Sequence, residues 1–176
     1  NENIILNQIG NSSAVNTITF DGGDGNATTR IIRYQATSAT NAHVFRFNGC
    51  SYVNLRNLTI QNTGTSAGLG ISIYGSTNHC SIIKCRVLVD STSTSTSFKA
   101  IQMTNSTDVT NGTRCGGTSA SVNNIVIDSN EIVGGRFAFY GTSSYSNTSQ
   151  AHVLFIRHNQ IRLAYEVGVG VSNVRG

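Results

Sequence analysis

The sequence predicts an all-β chain wound as a right-handed parallel β-helix, a solenoid of about six coils, with a β-sandwich as the alternative. Three observations predict it. A strand, turn, strand unit recurs, most plainly at residues 44–62 and 70–90. The stretches between units are Ser, Thr, Asn and Gly with no apolar 3.6-residue period, so no crossover helix is indicated. Charged residues are 11% of the chain and proline is absent, a profile that suits short strands joined by many turns. No break in composition marks a second domain, and residues 1–176 are read as one.

The first strand of each unit carries two apolar residues two positions apart, in several copies followed by glycine. Ile18 and Phe20 precede Gly22, Phe45 and Phe47 precede Gly49, Ile71 and Ile73 precede Gly75, and Phe137 and Phe139 precede Gly141. Ile101 with Met103 and Val169 with Val171 fill the same slot without that glycine. Outward positions of these strands then read Thr19, Arg46, Ser72, Gln102, Ala138 and Gly170, too mixed for the flat hydroxyl lattice of an ice-binding face.

The second strand gives a tighter ladder of apolar residues on either side of a corner. Its copies are Val53, Leu55, Leu58, Ile60; Cys80, Ile82, Cys85, Val87; Ile125, Ile127, Asn130, Ile132; and Leu154, Ile156, Asn159, Ile161. Period-two alternation puts each set on one face, and stacking the copies buries them as columns. The corner slot changes from Leu58 and Cys85 to Asn130 and Asn159. Stacked amides there would satisfy corner backbone groups and each other; two exposed turn asparagines are the alternative. Outward rows place Asp128 beside Arg157 and Arg86 beside Glu131, near enough for cross-strand ion pairs.

The opening NQIGNSSAVNTITFDGGDGNATTRIIRYQAT and the following VFRFNGCSYVNLRNLTIQNTG resemble the leading coils of right-handed parallel β-helix repeat proteins of Bacteroidetes, and the likeness extends over nearly the whole chain. It implies a secreted or cell-surface, adhesin-like protein. The chain starts at Asn1 without a leader and is read as a piece of a larger exported protein. The resemblance is informative about architecture; such repeats serve adhesins and polysaccharide lyases alike. The expected function is therefore an extracellular structural or adhesion shaft presenting variable loops, the alternative being a polysaccharide-binding or polysaccharide-cleaving module. Expected partners are surface glycans, or other copies stacked end to end into a filament. No cofactor is called for.

The chain's chemistry is sparse. Of eight acidic residues, only Asp128 and Glu131 share a strand region, which makes them the candidate catalytic pair for glycoside cleavage. Their arginine neighbours favour ion pairing over a general-acid role. The galacturonan-hydrolase and pectate-lyase residue sets of this architecture are missing. Asp21 and Asp24 in the DGGDGN turn invite comparison with calcium loops, but the ligand series is incomplete and a tight turn is favoured. No other metal set is present. Tyr74, Tyr140 and Tyr145 are candidate sugar platforms, with rim cover of the core as the plainer reading. Cys50 and Cys80 fall where adjacent coils approach and form a candidate disulfide, left open. The insertion from Thr104 to Asn124, which contains Cys115, is a candidate binding lip or a tolerated excursion. Scattered arginines without a basic run argue against nucleic acid, and no apolar segment is long enough to enter a membrane.

Overall fold

The computed structural model describes residues 3–110, 122–142 and 153–172. Short alternating strands succeed one another in threes. The first coil consists of β1 (Ile4–Asn7), β2 (Ile18–Asp21) and β3 (Ile31–Tyr34), with a 3₁₀ turn at Ala27–Thr29 capped by the Asn26 side chain. The second has β4 (His43–Asn48), β5 (Val53–Arg56) and β6 (Thr59–Asn62), and the third β7 (Gly68–Tyr74), β8 (Asn78–Ile83) and β9 (Arg86–Leu88). The fourth has β10 (Phe98–Met103), β11 (Asn123–Asp128) and β12 (Glu131–Val133), and the fifth β13 (Phe137–Thr142), β14 (Leu154–Arg157) and β15 (Gln160–Arg162). β16 (Val167–Ser172) opens a sixth.

Every strand pairs in parallel with its counterpart one coil away, giving a first sheet β1-β4-β7-β10-β13-β16, a second β2-β5-β8-β11-β14 and a third β3-β6-β9-β12-β15. This is a parallel β-helix, and the all-parallel pairing rules out the sandwich alternative, whose sheets are antiparallel. The core is the stack itself. Phe45, Ile71, Ile101 and Phe139 form one buried column, Leu55, Ile82 and Ile127 another, and Ile60, Val87 and Ile132 a third.

Two one-residue corners hold the three sheets at their angles. Tyr52 just before β5, and His79 and Asn124 as the second residues of β8 and β11, have φ of 58°, 50° and 49°; Asn57, Lys84, Ser129 and His158 follow the second-sheet strands with φ between 52° and 57°. A left-handed residue reverses the chain locally within a single position, which is why these columns recur coil after coil. Gly49 and Gly75 make the turn out of the first sheet at φ 65° and 68°, and a Cβ on Gly75 would stand 3.3 Å from the Gly49 nitrogen.

Three details of the register differ from the sequence reading. The second-strand ladder is two sheets divided at the second corner, not one strand. Ile18 and Phe20 belong to the second sheet, paired with Val53 and Leu55; the first strand of that coil is β1. Phe139 pairs with Ile101 and Gly141 with Met103, so β13 lies two residues from the expected alignment and Gly141 is inside a strand. A slip of two leaves the inward face unchanged, so alternation alone does not detect it. Gly141 is small because a Cβ there would meet the Phe139 ring at 2.7 Å. The outward row of the first sheet is accordingly Arg46, Ser72, Gln102, Tyr140 and Gly170.

Candidate binding face

The outer face of the second sheet carries a concavity lined by aromatic, amide and hydroxyl side chains. Tyr52 and His79, at the same corner on successive coils, stack with ring centroids 4.7 Å apart and planes 16° from parallel. Two neighbours fix the imidazole: its Nδ1 lies 2.7 Å from Asn78 Oδ1 and its Nε2 3.1 Å from the Asn124 side-chain amide. The next outward row runs Thr19, Asn54, Ser81, Val126 and Phe155, in which Ser81 donates to Asn54 Oδ1 at 2.6 Å and Phe155 is 49% exposed. Most of these residues, Thr19 and Asn78 excepted, line a groove of about 360 Å³ that runs from Thr17 on the first coil to Phe155 on the fifth. Four coil spacings at ~4.8 Å each make it about 19 Å long, parallel to the helix axis. Among the described residues, no carboxylate, lysine or arginine lines it.

One row further along, the same face holds Asp21, Arg56, Ile83, Asp128 and Arg157. The charges here are paired across coils. Arg56 donates to Asp21 at 2.6 Å and Arg157 to Asp128 at 2.8 Å. Asp21 also accepts from Asn57 and from the Gly23 main chain, and these hydrogen bonds, with Arg56, hold its carboxyl down to about 2. Asp128 is held to about 2 by His158, 3.0 Å away, then by Ser129 and Arg157. On the third sheet Arg86 donates to Glu131 at 2.5 Å, and Arg162 lies 3.9 Å from its other oxygen. Arg136 and Glu166 pair in the same manner. The candidate catalytic pair is thus occupied: Asp128 is locked in the ionised form by its partners, the wrong state for a general acid at neutral pH.

The corner asparagines stack inside the coil. Asn130 Oδ1 accepts from the Cys85 main-chain N–H at 2.8 Å, while Asn130 Nδ2 donates to Ile82 O at 2.9 Å. Asn159 repeats the arrangement one coil on, donating to Ile127 O at 2.8 Å. Asn130 is 1% exposed, so the exposed-turn alternative does not describe it.

The remaining candidates are dispersed. Asp24 accepts only from the Asn26 main chain, and no group of three or more His, Cys, Asp or Glu is gathered to hold a metal among the described residues. The DGGDGN segment is a tight turn whose Gly23 and Gly25 have φ of 82° and 75°. Tyr140 is covered by its neighbours, with Lys99 Nζ 5.2 Å over its ring and Phe137 5.2 Å away. Tyr74 is half-buried at the end of β7, on the first sheet and two coils from Tyr140. Tyr145 and Cys115 lie outside the described residues. Cys50 and Cys80 stand as two buried thiols with sulfurs 4.0 Å apart.

The start of the long insertion does not form a free lip. Residues 104–110 lie over the outer face of the first sheet, where three buried cationic or amide side chains hold their carbonyls. Arg46 Nη2 donates to Thr107 O at 3.1 Å, Gln102 Nε2 to Asp108 O at 3.3 Å, and Lys99 Nζ to Val109 O. Arg46 also donates to His43 Nδ1 at 2.8 Å, which leaves the imidazole proton on Nε2. Burial, with Arg46 beside it, pushes His43 down to about 4; burial pushes Lys99 down to about 8.

Comparison with protein-family models, curated proteins and solved structures returns no match for this chain. The groove is therefore read from its own residues. Tyr52, His79 and Phe155 were not among the sequence candidates, although a signal existed: Tyr52 and His79 each stand one residue ahead of the aligned Val53 and Cys80. Extending the alignment upstream by one position stacks them.

Proposed function

We propose that the chain is an extracellular structural or adhesion shaft whose second-sheet groove binds an uncharged polysaccharide lying along the axis. The observation that carries this reading is the division of labour on one face: the charged row is consumed in ion pairs between coils, and the row beside it is aromatic, amide and hydroxyl. A long groove without fixed charge suits a neutral polymer that contributes ring faces and hydroxyls, and suits an acidic one poorly. The ionised Asp128 and the arginine-paired Glu131 support binding over cleavage. In the same reading, copies continue the stack end to end, covering Ile31 and Val171, which are half exposed. Among the described residues no helix is long and apolar enough to cross a membrane.

The test is retention on a panel of immobilised neutral and acidic polysaccharides, with release of reducing or unsaturated ends followed in parallel. Retention on neutral polymers that falls at least tenfold in Tyr52→Ala and in His79→Ala, without products, is the expected result. Product release that disappears in Asp128→Asn with Glu131→Gln replaces the shaft by an enzyme, and no retention on any polymer removes the groove from the account.

A further inference from the structure

Ion pairs cross four of the five boundaries between successive coils: Asp21 with Arg56, Arg86 with Glu131, Asp128 with Arg157, and Arg136 with Glu166. Among the described residues, the boundary between the second and third coils has none. That boundary holds the two cysteines, Cys50 after β4 and Cys80 in β8, with sulfurs 4.0 Å apart and both side chains buried in the core.

We propose that Cys50 and Cys80 are an oxidisable pair that thiol–disulfide exchange closes into a covalent tie between the second and third coils. The co-reactant is a low-molecular-weight disulfide. Cys80 attacks first. It borders the second-sheet groove and, at 2% exposure, meets a reagent when this corner opens locally, whereas Cys50 is fully enclosed. Its thiolate is favoured by the Cys50 S–H and by backbone N–H groups of Val53 and Tyr52, while the Cys50 thiol is pushed up by the shared hydrogen bond and by burial. The Cys80 thiolate forms a mixed disulfide and expels one reagent thiolate. Cys50 then gives up its proton and attacks Cys80 sulfur, expelling the second, so two protein thiols are oxidised and one reagent disulfide is reduced to two thiols. The sulfurs must close by about 2 Å to reach bonding distance, a movement within reach of side-chain rotation and slight corner adjustment. Cys85, also buried but without a sulfur partner among the described residues, is an internal control. The proposal does not depend on what the groove binds.

The experiment uses the full chain carrying Cys115→Ser, which leaves three cysteines. After incubation with oxidised glutathione, thiols are counted in denaturant, peptides are mapped by mass spectrometry, and melting is recorded with and without reductant. The expected result is a fall from three thiols to one, a Cys50–Cys80 linked peptide, an alkylatable Cys85, and a melting temperature raised by about 5–10 °C that reductant reverses. In Cys50→Ala, Cys80 accumulates as the glutathione mixed disulfide and no linked peptide forms. Three thiols persisting after prolonged oxidation, a mixed disulfide on Cys80 that never resolves in the Cys50-containing chain, or a link to Cys85 instead would each overturn the proposal.

Discussion

Asn159 Oδ1 accepts from both the main-chain N–H and the side-chain Nδ2 of Asn130, each at 2.9 Å, so one amide oxygen closes the corner of the coil before it. Asn130→Ala removes the acceptor of the Cys85 N–H and the donor to Ile82 O inside a sealed corner. Stability falls by about 2–4 kcal/mol in denaturant titration, the cost of leaving buried polar groups unpaired. Asn159→Ala costs less, because its side chain is partly open to water.

Acid loosens the fold in two stages. His43 is depressed from 6.5 to about 4 in the folded chain, so between those values the unfolded chain takes up a proton that the folded one refuses. Stability is intact above pH 6.5 and declines by about 2–3 kcal/mol as pH falls to 4. Asp21 and Asp128 are depressed from 3.8 to about 2; their contribution is intact above 3.8 and disappears as pH falls through 2. Melting curves collected from pH 7 to pH 2 resolve the two steps, and His43→Gln flattens the first alone.

Removing the charge of the paired acids tests their role directly. Glu131→Gln shifts stability by no more than about 1 kcal/mol and Asp128→Asn shifts it only slightly, because these pairs are partly exposed. Raising salt to about 1 M narrows the difference between each variant and the parent, since screening weakens the native pairs. Paired melts at low and high ionic strength measure this.

Gly70 is a packing requirement and Gly10 is not. A Cβ at Gly70 would sit 2.4 Å from Val87 Cγ1 and 2.6 Å from the Ala100 carbonyl oxygen, whereas one at Gly10 meets nothing within 4 Å. Gly70→Ala costs about 3 kcal/mol or more, since both the side chain and the backbone of adjoining strands must move. Gly10→Ala leaves the unfolding midpoint within about 0.5 kcal/mol of the parent.

Alternation made the stack legible in the sequence because every coil repeats the same inward columns. The outward row from Arg56 to Arg157, the Arg86–Glu131 and Asp128–Arg157 neighbours and the stacking slot of Asn130 and Asn159 all follow from that register. Three kinds of feature escaped it. The placement of Ile18 and Phe20, and the two-residue slip of Phe137 and Phe139, leave the apolar pattern unaltered, so only backbone pairing distinguishes them. The burial of Arg46, Gln102 and Lys99 depends on residues 104–110 returning over the sheet, a long-range event that no local pattern encodes. Tyr52 and His79 escaped because corner residues belong to neither alternating face.

Among the described residues, all the arginine–carboxylate contacts join one coil to the next and none lies within a coil. A tensile load along the axis therefore falls on them and on the interstrand hydrogen bonds together, while a sideways load meets the continuous covalent backbone of each turn. The molecule is anisotropic as a material: its axial stiffness responds to the ionic strength of the surroundings, and its girth does not.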